Sequence, residues 1–368
     1  MRVDFDVVVV GGGPAGSSAA LAARRAGGRV LLLDKARFPR DKPCGDGIAA
    51  EALDVLAGLG VTGVTDGYPP VERLRLVGPG GAAMDRPLAR PAHTVPRRVF
   101  DARLLDAALA AGVEFRHHTV RSLRHGAEQV TIDGQITAGT VIGADGAGSI
   151  VRRLSGRRPN PSGHVAIAIR GYAAATGAEQ LIVTTKARWP AYAWSFPIGD
   201  GTANVGYGEV LRGAPLSRAY LLDRMDRMLS ATEPRGLRAH HLPLSTHRPP
   251  PAAGRVLLAG DALSLINPLT GEGIFYAVLS GALAGASAMT ADPGATYTRA
   301  LRGRLGRHLR HSGFATFLTR RPSMVDAAVR AAARDQPVFD RMAALGLADG
   351  IFDFRTIGRI GRELYRRS

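Results

Sequence analysis

The sequence predicts an α/β fold. A Rossmann-type parallel sheet shaped to bind a dinucleotide carries an inserted antiparallel β-sheet domain and ends in a helical tail. Three observations predict it. Asp4 to Gly16 (DFDVVVVGGGPAG) reads as a buried strand that ends in a glycine turn and opens a helix. Gly163 to Glu209 alternates apolar and polar residues between Gly and Asp turns, the mark of an antiparallel sheet. From Thr296 onward the pattern is helical and crowded with arginine.

The first element organises the rest. Val7 to Val10 are four β-branched residues in a row, as expected of a central strand buried on both faces. Gly11, Gly13 and Gly16 follow in the spacing G-x-G-x-x-G, with Pro14 and Ala15 between the last two. Gly11 makes the tight turn, Gly13 lets the backbone approach a pyrophosphate, and Gly16 lets helix and strand pack closely. The free N–H groups at the helix start face the anion. A second strand, RVLLLDK, ends in Asp34 and Lys35. An acid at this distance accepts the ribose 2′-OH and disfavours a 2′-phosphate, which argues against NADP in this site.

Composition bounds the rest. The 368 residues are 45% hydrophobic, enough for a large core and one or two domains. The formal net charge is +17, and lysine occurs only at Lys35, Lys42 and Lys186. The arginine excess favours an anionic partner: a diphosphate, a membrane surface or nucleic acid. No nucleic-acid-binding signature accompanies it, so no nucleic-acid partner is expected, and no metal site is expected either. Cys44 is the single cysteine, which excludes an intramolecular disulfide and fits a reducing cytoplasm. The first strand begins too early to leave room for a signal peptide. The apolar stretch Gly273 to Met289 reads as a buried helix, not a membrane span.

In chain order, Arg37 to Gly45 is a loop, and Asp46 is the expected N-cap of a helix from about Gly47 to Leu59. Cys44 in that loop is either a buried small residue or a group facing the nucleotide site. Val71 to Asp85 reads as a hairpin. A helix after Pro96 carries Phe100, Leu104, Leu105, Ala108 and Leu109 on one face. Arg97 and Arg98 stand at its start, where the helix dipole disfavours a cation; they serve an external anion or form a solvated pair. VEFRHHTVRSLRH, QVTID and TAGTVIGADGAG read as strands returning to the parallel sheet. The last ends in Asp145-Gly146, at the edge where α/β folds bind ligands. In the inserted domain, Tyr192, Trp194 and Phe196 share one strand face, as a core surface or as the wall of an apolar or flavin site. After the Pro-rich link HRPPPAAG come Gly260-Asp261 and Gly271-Glu272-Gly273, a second strand-to-helix turn able to aim N–H groups at a ligand. The basic tail segments Arg299 to Arg310 and Arg355 to Arg367 are membrane-surface contacts or solvated faces.

Together these stretches resemble the geranylgeranyl reductase family, within the flavoproteins folded like p-hydroxybenzoate hydroxylase. GGGPAG with Asp34, VPRRVFDARL, GADGAGSIVR and LLAGDALSLINPLTGEGI carry the flavin part. KPCGDG, PAYAWSFP and TANVGYG are similar to the reductases more narrowly, and Pro190, Tyr192, Trp194, Phe196 and Pro197 meet the pattern P-x-Y-x-W-x-F-P. The match covers about Asp4 to Met289. The resemblance implies a Rossmann-type FAD-binding domain in three segments (1–68, 96–158 and 251–295). It implies a substrate-domain hairpin at 69–95, an antiparallel substrate domain at 159–250 and a tail at 296–368.

It implies FAD, with Gly11, Gly13, Gly16 and Asp34 on the ADP half, Arg97 in the family's V-x-R-x-x-F-D position, and Asp261 at the ribityl phosphate. Gly271 and Gly273 would lie beside the isoalloxazine, opposite Cys44 and Gly45. It also implies saturation of isoprenoid C=C bonds by hydride from reduced flavin N5. Cys44, Tyr192 and Trp194 are the catalytic candidates, and Tyr192, Trp194 and Phe196 the substrate contacts. NAD(P)H or an electron-donor protein would be the reductant. The location would be cytoplasmic, or peripheral on the cytoplasmic membrane. The same scaffold supports a flavin monooxygenase or epoxidase, a flavin halogenase, or a non-catalytic polyprenyl-lipid carrier.

Overall fold

The computed structural model describes residues 3–187, 189–213, 215–230 and 233–366, with the side chain of Tyr365 left aside. The chain runs β1 (Phe5–Val10), α1 (Pro14–Arg25), β2 (Val30–Asp34), β3 (Gly47–Ile48), α2 (Ala50–Gly58), β4 (Pro70–Val77), β5 (Ala83–Thr94), α3 (Arg97–Ala110), β6 (Glu114–His117), β7 (Leu123–His125), β8 (Val130–Ile132), β9 (Ile136–Gly143) and α4 (Ile150–Leu154). It continues with β10 (Val165–Ala174), β11 (Gln180–Thr184), β12 (Ala191–Pro197), β13 (Thr202–Val210), α5 (Arg218–Leu229), β14 (Arg235–Pro243), β15 (Ala252–Ala253), β16 (Val256–Leu258), α6 (Ile274–Ala288), α7 (Pro293–Leu318), α8 (Pro322–Arg334), α9 (Gln336–Leu347) and α10 (Phe354–Tyr365).

Two sheets result. In the first, β16, β9, β1, β2 and β6 are parallel neighbours. Val7, Val8 and Val9 are fully buried, because β1 sits mid-sheet with α1 and α6 against it. α6 is the expected buried helix: Gly281 and Gly285 bring it onto the α1 backbone, where a Cβ would stand 2.1 Å from the Ala15 and Ala19 carbonyl oxygens. Among the described residues no helix is long and apolar enough to cross a membrane.

The second sheet has the order β14-β10-β13-β12-β11-β4-β5-β3. Its back face packs on α5, with Ala191, Ala193 and Tyr207 meeting Leu221 and Met225. Its β4–β5 end packs on the tail helices, where Leu74 and Met84 meet Val329, Val338 and Phe339.

Several expectations need correction. Asp46 is not a helix N-cap: α2 starts at Ala50 after β3, and Asp46 points elsewhere. Leu109 is 41% exposed, one position beyond the buried face of α3. β7 and β8 form an antiparallel hairpin attached to β9 and do not continue the parallel sheet. The second sheet is not wholly antiparallel, since β11 pairs parallel with β4. The tail helix starts at Pro293, capped by Asp292, and the tail is largely core-forming, because α8 and α9 cover the β4–β5 end.

Candidate functional site

A cavity of about 720 Å³ lies between the two sheets, within the range of small-molecule and cofactor sites. Its floor is the β1–α1 turn. Gly11 has φ +105°, open only to glycine without strain. A Cβ on Gly16 would stand 1.6 Å from the Gly11 carbonyl oxygen, so the close packing is obligatory. Gly13 caps α1 with no side chain on its amides, leaving first-turn N–H groups for an anion. A Cβ on Gly13 would face the Arg40 and Arg97 guanidinium groups at 3.4 and 3.7 Å. Pro14, Ala15, Asp34 and Lys35 border the same space. Asp34 accepts from the Gly12 and Ala36 amides, one on each oxygen at 2.7 Å. Each oxygen keeps a lone pair for a hydroxyl. This cradle of open amides, cations and a hydroxyl acceptor fits the ADP half of FAD.

Arg97 has an internal reason for its place at a helix start. Its guanidinium makes a bidentate pair with Asp101, at 2.6 and 2.8 Å, and Arg40 adds a contact to Asp101 at 2.9 Å. Burial opposes the charge on Arg97, but Asp101 outweighs it and holds the group protonated. Arg98 is exposed. The Asp145 side chain is spent on α4, accepting from the Ser149 hydroxyl at 2.5 Å and the Ile150 amide at 2.7 Å; it still borders the cavity.

The second strand-to-helix turn closes the floor. Gly260 donates its N–H to Ser280 Oγ at 2.9 Å. Burial works to raise the Asp261 carboxyl, yet Lys42 Nζ at 3.3 Å, with His240 nearby, holds it below the ordinary range. His240 is pushed down to about 4 by burial and then by Lys42. Gly271, Glu272 and Gly273 border the cavity just before α6. Burial pushes Glu272 up to about 7, although its Oε1 accepts the Phe275 amide at 2.8 Å. Gly271 lies under the Tyr192 hydroxyl, which donates to the Thr270 carbonyl.

The wall comes from the second sheet, and strand register decides it. Tyr192, Trp194 and Phe196 stand opposite Gly208, Gly206 and Asn204 on β13. Those pair in turn with Ala168, Arg170 and Tyr172 on β10. Paired residues share a face, and of this set Ala168, Arg170, Tyr192, Trp194, Phe196 and Gly208 border the cavity. Glycine opposite tryptophan has a steric cause: a Cβ on Gly206 would stand 2.1 Å from the Trp194 ring.

Asn204, fully buried, is the hub. It accepts from Trp194 Nε1 at 2.9 Å and donates to the Cys44 carbonyl and to Asp46 Oδ2, each at 2.8 Å. Tyr172 donates to the same Asp46 oxygen at 2.7 Å, and the Arg97 amide reaches Oδ1 at 3.3 Å. Asp46 holds φ +61° under these bonds, a conformation that aspartate tolerates better than most residues. Burial still pushes its carboxyl up to about 6. Cys44 and Gly45 therefore lie against the aromatic wall, where a Cβ on Gly45 would stand 3.5 Å from the Phe196 and Trp194 rings. Burial raises the Cys44 thiol, with Arg97 opposing, so it stays protonated at neutral pH.

Sequence reasoning missed Asn204, Tyr172, Arg170 and Lys42, and misread Asp46. One signal was available: a lone Asn and two glycines at period two in TANVGYG mark a strand face with a special neighbour.

The fold and this cleft define an FAD-dependent oxidoreductase. Residues 4–176 match the model of the FAD binding domain. The chain is 34% identical over 299 residues to a menaquinone reductase of Mycolicibacterium smegmatis, covering 74% of this chain and 73% of that protein. It is 33% identical over 313 residues to digeranylgeranylglycerophospholipid reductase 1 of Methanopyrus kandleri, covering 78% and 81%. Its fold matches that of a geranylgeranyl bacteriochlorophyll reductase-like protein from Thermoplasma acidophilum, with TM-score 0.81, 20% identity and coverage of 99% and 98%. The chain belongs to the geranylgeranyl reductase family.

Proposed function

We propose that this protein saturates C=C bonds in the isoprenoid chain of a lipid or quinone. One observation carries the reading. KPCGDG, PAYAWSFP and TANVGYG, distant in sequence, meet through Asn204 at the point where the aromatic wall faces the glycine-rich floor. An isoprenoid chain is also the feature shared by the substrates in the two relatives' names.

The chemistry sets the requirements. Bound FAD supplies two-electron hydride chemistry; the protein supplies binding, orientation and exclusion of water. Gly11, Gly13, Gly16 and Asp34 hold the adenosine diphosphate half, and Asp261, Gly271 and Gly273 flank the remainder. An isolated alkene has no carbonyl to polarise, so its position must be fixed by shape. Tyr192, Trp194 and Phe196 give a rigid apolar wall, extended by Ala168, Ile182 and Leu242. Reduction also needs a proton at the second alkene carbon. Among the groups bordering the cavity, the Cys44 thiol and the Glu272 carboxyl hold one near neutral pH, as does the Tyr192 hydroxyl, whose proton is already donated to the Thr270 carbonyl. Asp46 does not serve, because its bonds from Tyr172, Asn204 and the Arg97 amide are all donated to it. The reductant is NAD(P)H or an electron-donor protein, and it reaches the flavin transiently, since the chain carries no second dinucleotide fingerprint.

The test is anaerobic incubation of the reduced holoenzyme with a menaquinone and with a geranylgeranylated lipid, followed by mass spectrometry. Gain of hydrogen pairs supports the reading. No change in either substrate indicates a carrier, and oxygen gain under air indicates a monooxygenase; each overturns it.

A further inference from the structure

The exposed face at the end of α7 carries features that the cleft does not explain. α7 buries Leu301, Leu305, His308, Ser312 and Ala315 on one side. On the other side Arg310, Phe314 and Phe317 follow at steps of four and three, which is one helical face, and the exposed Arg320 and Arg321 follow just past the helix end. Phe314 is 52% exposed and Phe317 59% exposed. Single exposed apolar residues are ordinary, but two adjacent phenylalanines framed by cations are a different surface.

The charge there is one-sided. Between Asp292 and Asp326 the sequence holds seven arginines and no acid. Arg304 pairs with Asp349. Among the described residues Arg299, Arg302, Arg307, Arg310, Arg320 and Arg321 form no ion pair, and Arg320 lies over the Phe317 ring at 5.2 Å. Near the exposed Phe354 of α10, by contrast, Arg341 and Arg359 pair with Asp353 and Asp335.

This face also adjoins the cleft. Thr319 caps the C-terminus of α7, its carbonyl accepts the Trp189 indole N–H, and Trp189 and Pro190 border the cavity. An apolar pair with surrounding cations, set at the rim of an apolar cavity, matches the interfacial helices that insert aromatics below anionic headgroups.

We infer that the C-terminal half of α7 docks on an anionic bilayer through Phe314 and Phe317, presenting the Trp189 rim of the cavity to the membrane. The inference rests on reading the cleft as a lipid site, but its test requires no turnover, so the two can fail separately. Holoenzyme is sedimented with phosphatidylcholine vesicles and with vesicles containing phosphatidylglycerol. Binding is expected only to the anionic vesicles and should weaken steeply with salt. Phe314→Ser with Phe317→Ser should weaken it by at least about tenfold. Arg310→Gln and Arg320→Gln should each cost about fivefold. Flavin absorbance and thermal stability check that these variants fold.

In a Trp194→Phe background only Trp189 remains to fluoresce, and brominated lipids should quench it in the bound protein. Unchanged binding in the phenylalanine variants overturns the inference, as does equal binding to neutral vesicles or absence of quenching. So does a dimer in light scattering that Phe317→Ser dissolves, which would assign the face to a second copy of the chain.

Discussion

Replacing Asn204 tests the hub on which the cleft depends. Asn204→Ala removes the acceptor of the Trp194 indole N–H and the donor to Asp46 and the Cys44 carbonyl. A hydrogen bond to a charged group contributes about 1.5–3 kcal/mol, and a buried polar group left without a partner costs about 1–3 kcal/mol. The sum is about 2.5–6 kcal/mol, a large part of the stability of an ordinary domain. Asn204→Asp keeps the size but sets a second carboxylate against Asp46, already raised to about 6 by burial. Like charges push such a pair further up. The folded state then keeps a proton that the unfolded chain loses near 3.8, so stability is full below about 4 and falls as pH rises from there through and beyond 6. The assay is urea unfolding of FAD-saturated protein, read by tryptophan fluorescence near pH 4 and near pH 8. Asn204→Ala should be unstable at both. Asn204→Asp should approach wild type only at the lower pH. If Asn204→Ala lies within about 0.5 kcal/mol of wild type, or Asn204→Asp shows no pH dependence, the hub carries no load and the reasoning fails.

Further expectations concern the floor and the proton. Gly16→Ala places a Cβ 1.6 Å from the Gly11 carbonyl oxygen and should abolish flavin binding, whereas Gly303→Ala, in open space on α7, should stabilise by about 0.5–1 kcal/mol; flavin absorbance and thermal melts check both. Cys44→Ala and Cys44→Ser should keep FAD and accept electrons at near wild-type rates, but lose most reoxidation by the isoprenoid, with Ala at least as impaired; separate stopped-flow half-reactions show it, and wild-type reoxidation in the Ala variant would remove Cys44 from the chemistry. Glu272 is raised by burial to about 7, so it carries its proton below that pH and loses it above. Turnover should therefore decline as pH rises through about 7, and Glu272→Gln should lose that bend; a bend that persists in the variant assigns it to another group.

The sequence by itself determined the parts whose cause is local. Gly11 and Gly16 declare themselves because a turn at φ +105° and a strand–helix contact admit no side chain, and both demands fall within six residues. The buried runs of β1 and β2, the helix at Gly273 and the alternation that puts Tyr192, Trp194 and Phe196 on one face are likewise properties of short windows. The tertiary structure alone decided what those faces meet. Asn204 bonds Cys44 across 160 positions and Asp46 across 158, and no local pattern fixes the register that brings them together. Asp46 read as a helix cap because aspartate before a helix usually is one; burial against Tyr172 and Asn204 gave it another task. Arg97 looked misplaced at a helix start until Asp101, one turn on and fully buried, supplied the compensating charge. The arginine-rich tail was legible as helix but not as core, because which face of a helix is covered depends on the sheet that arrives from elsewhere in the chain.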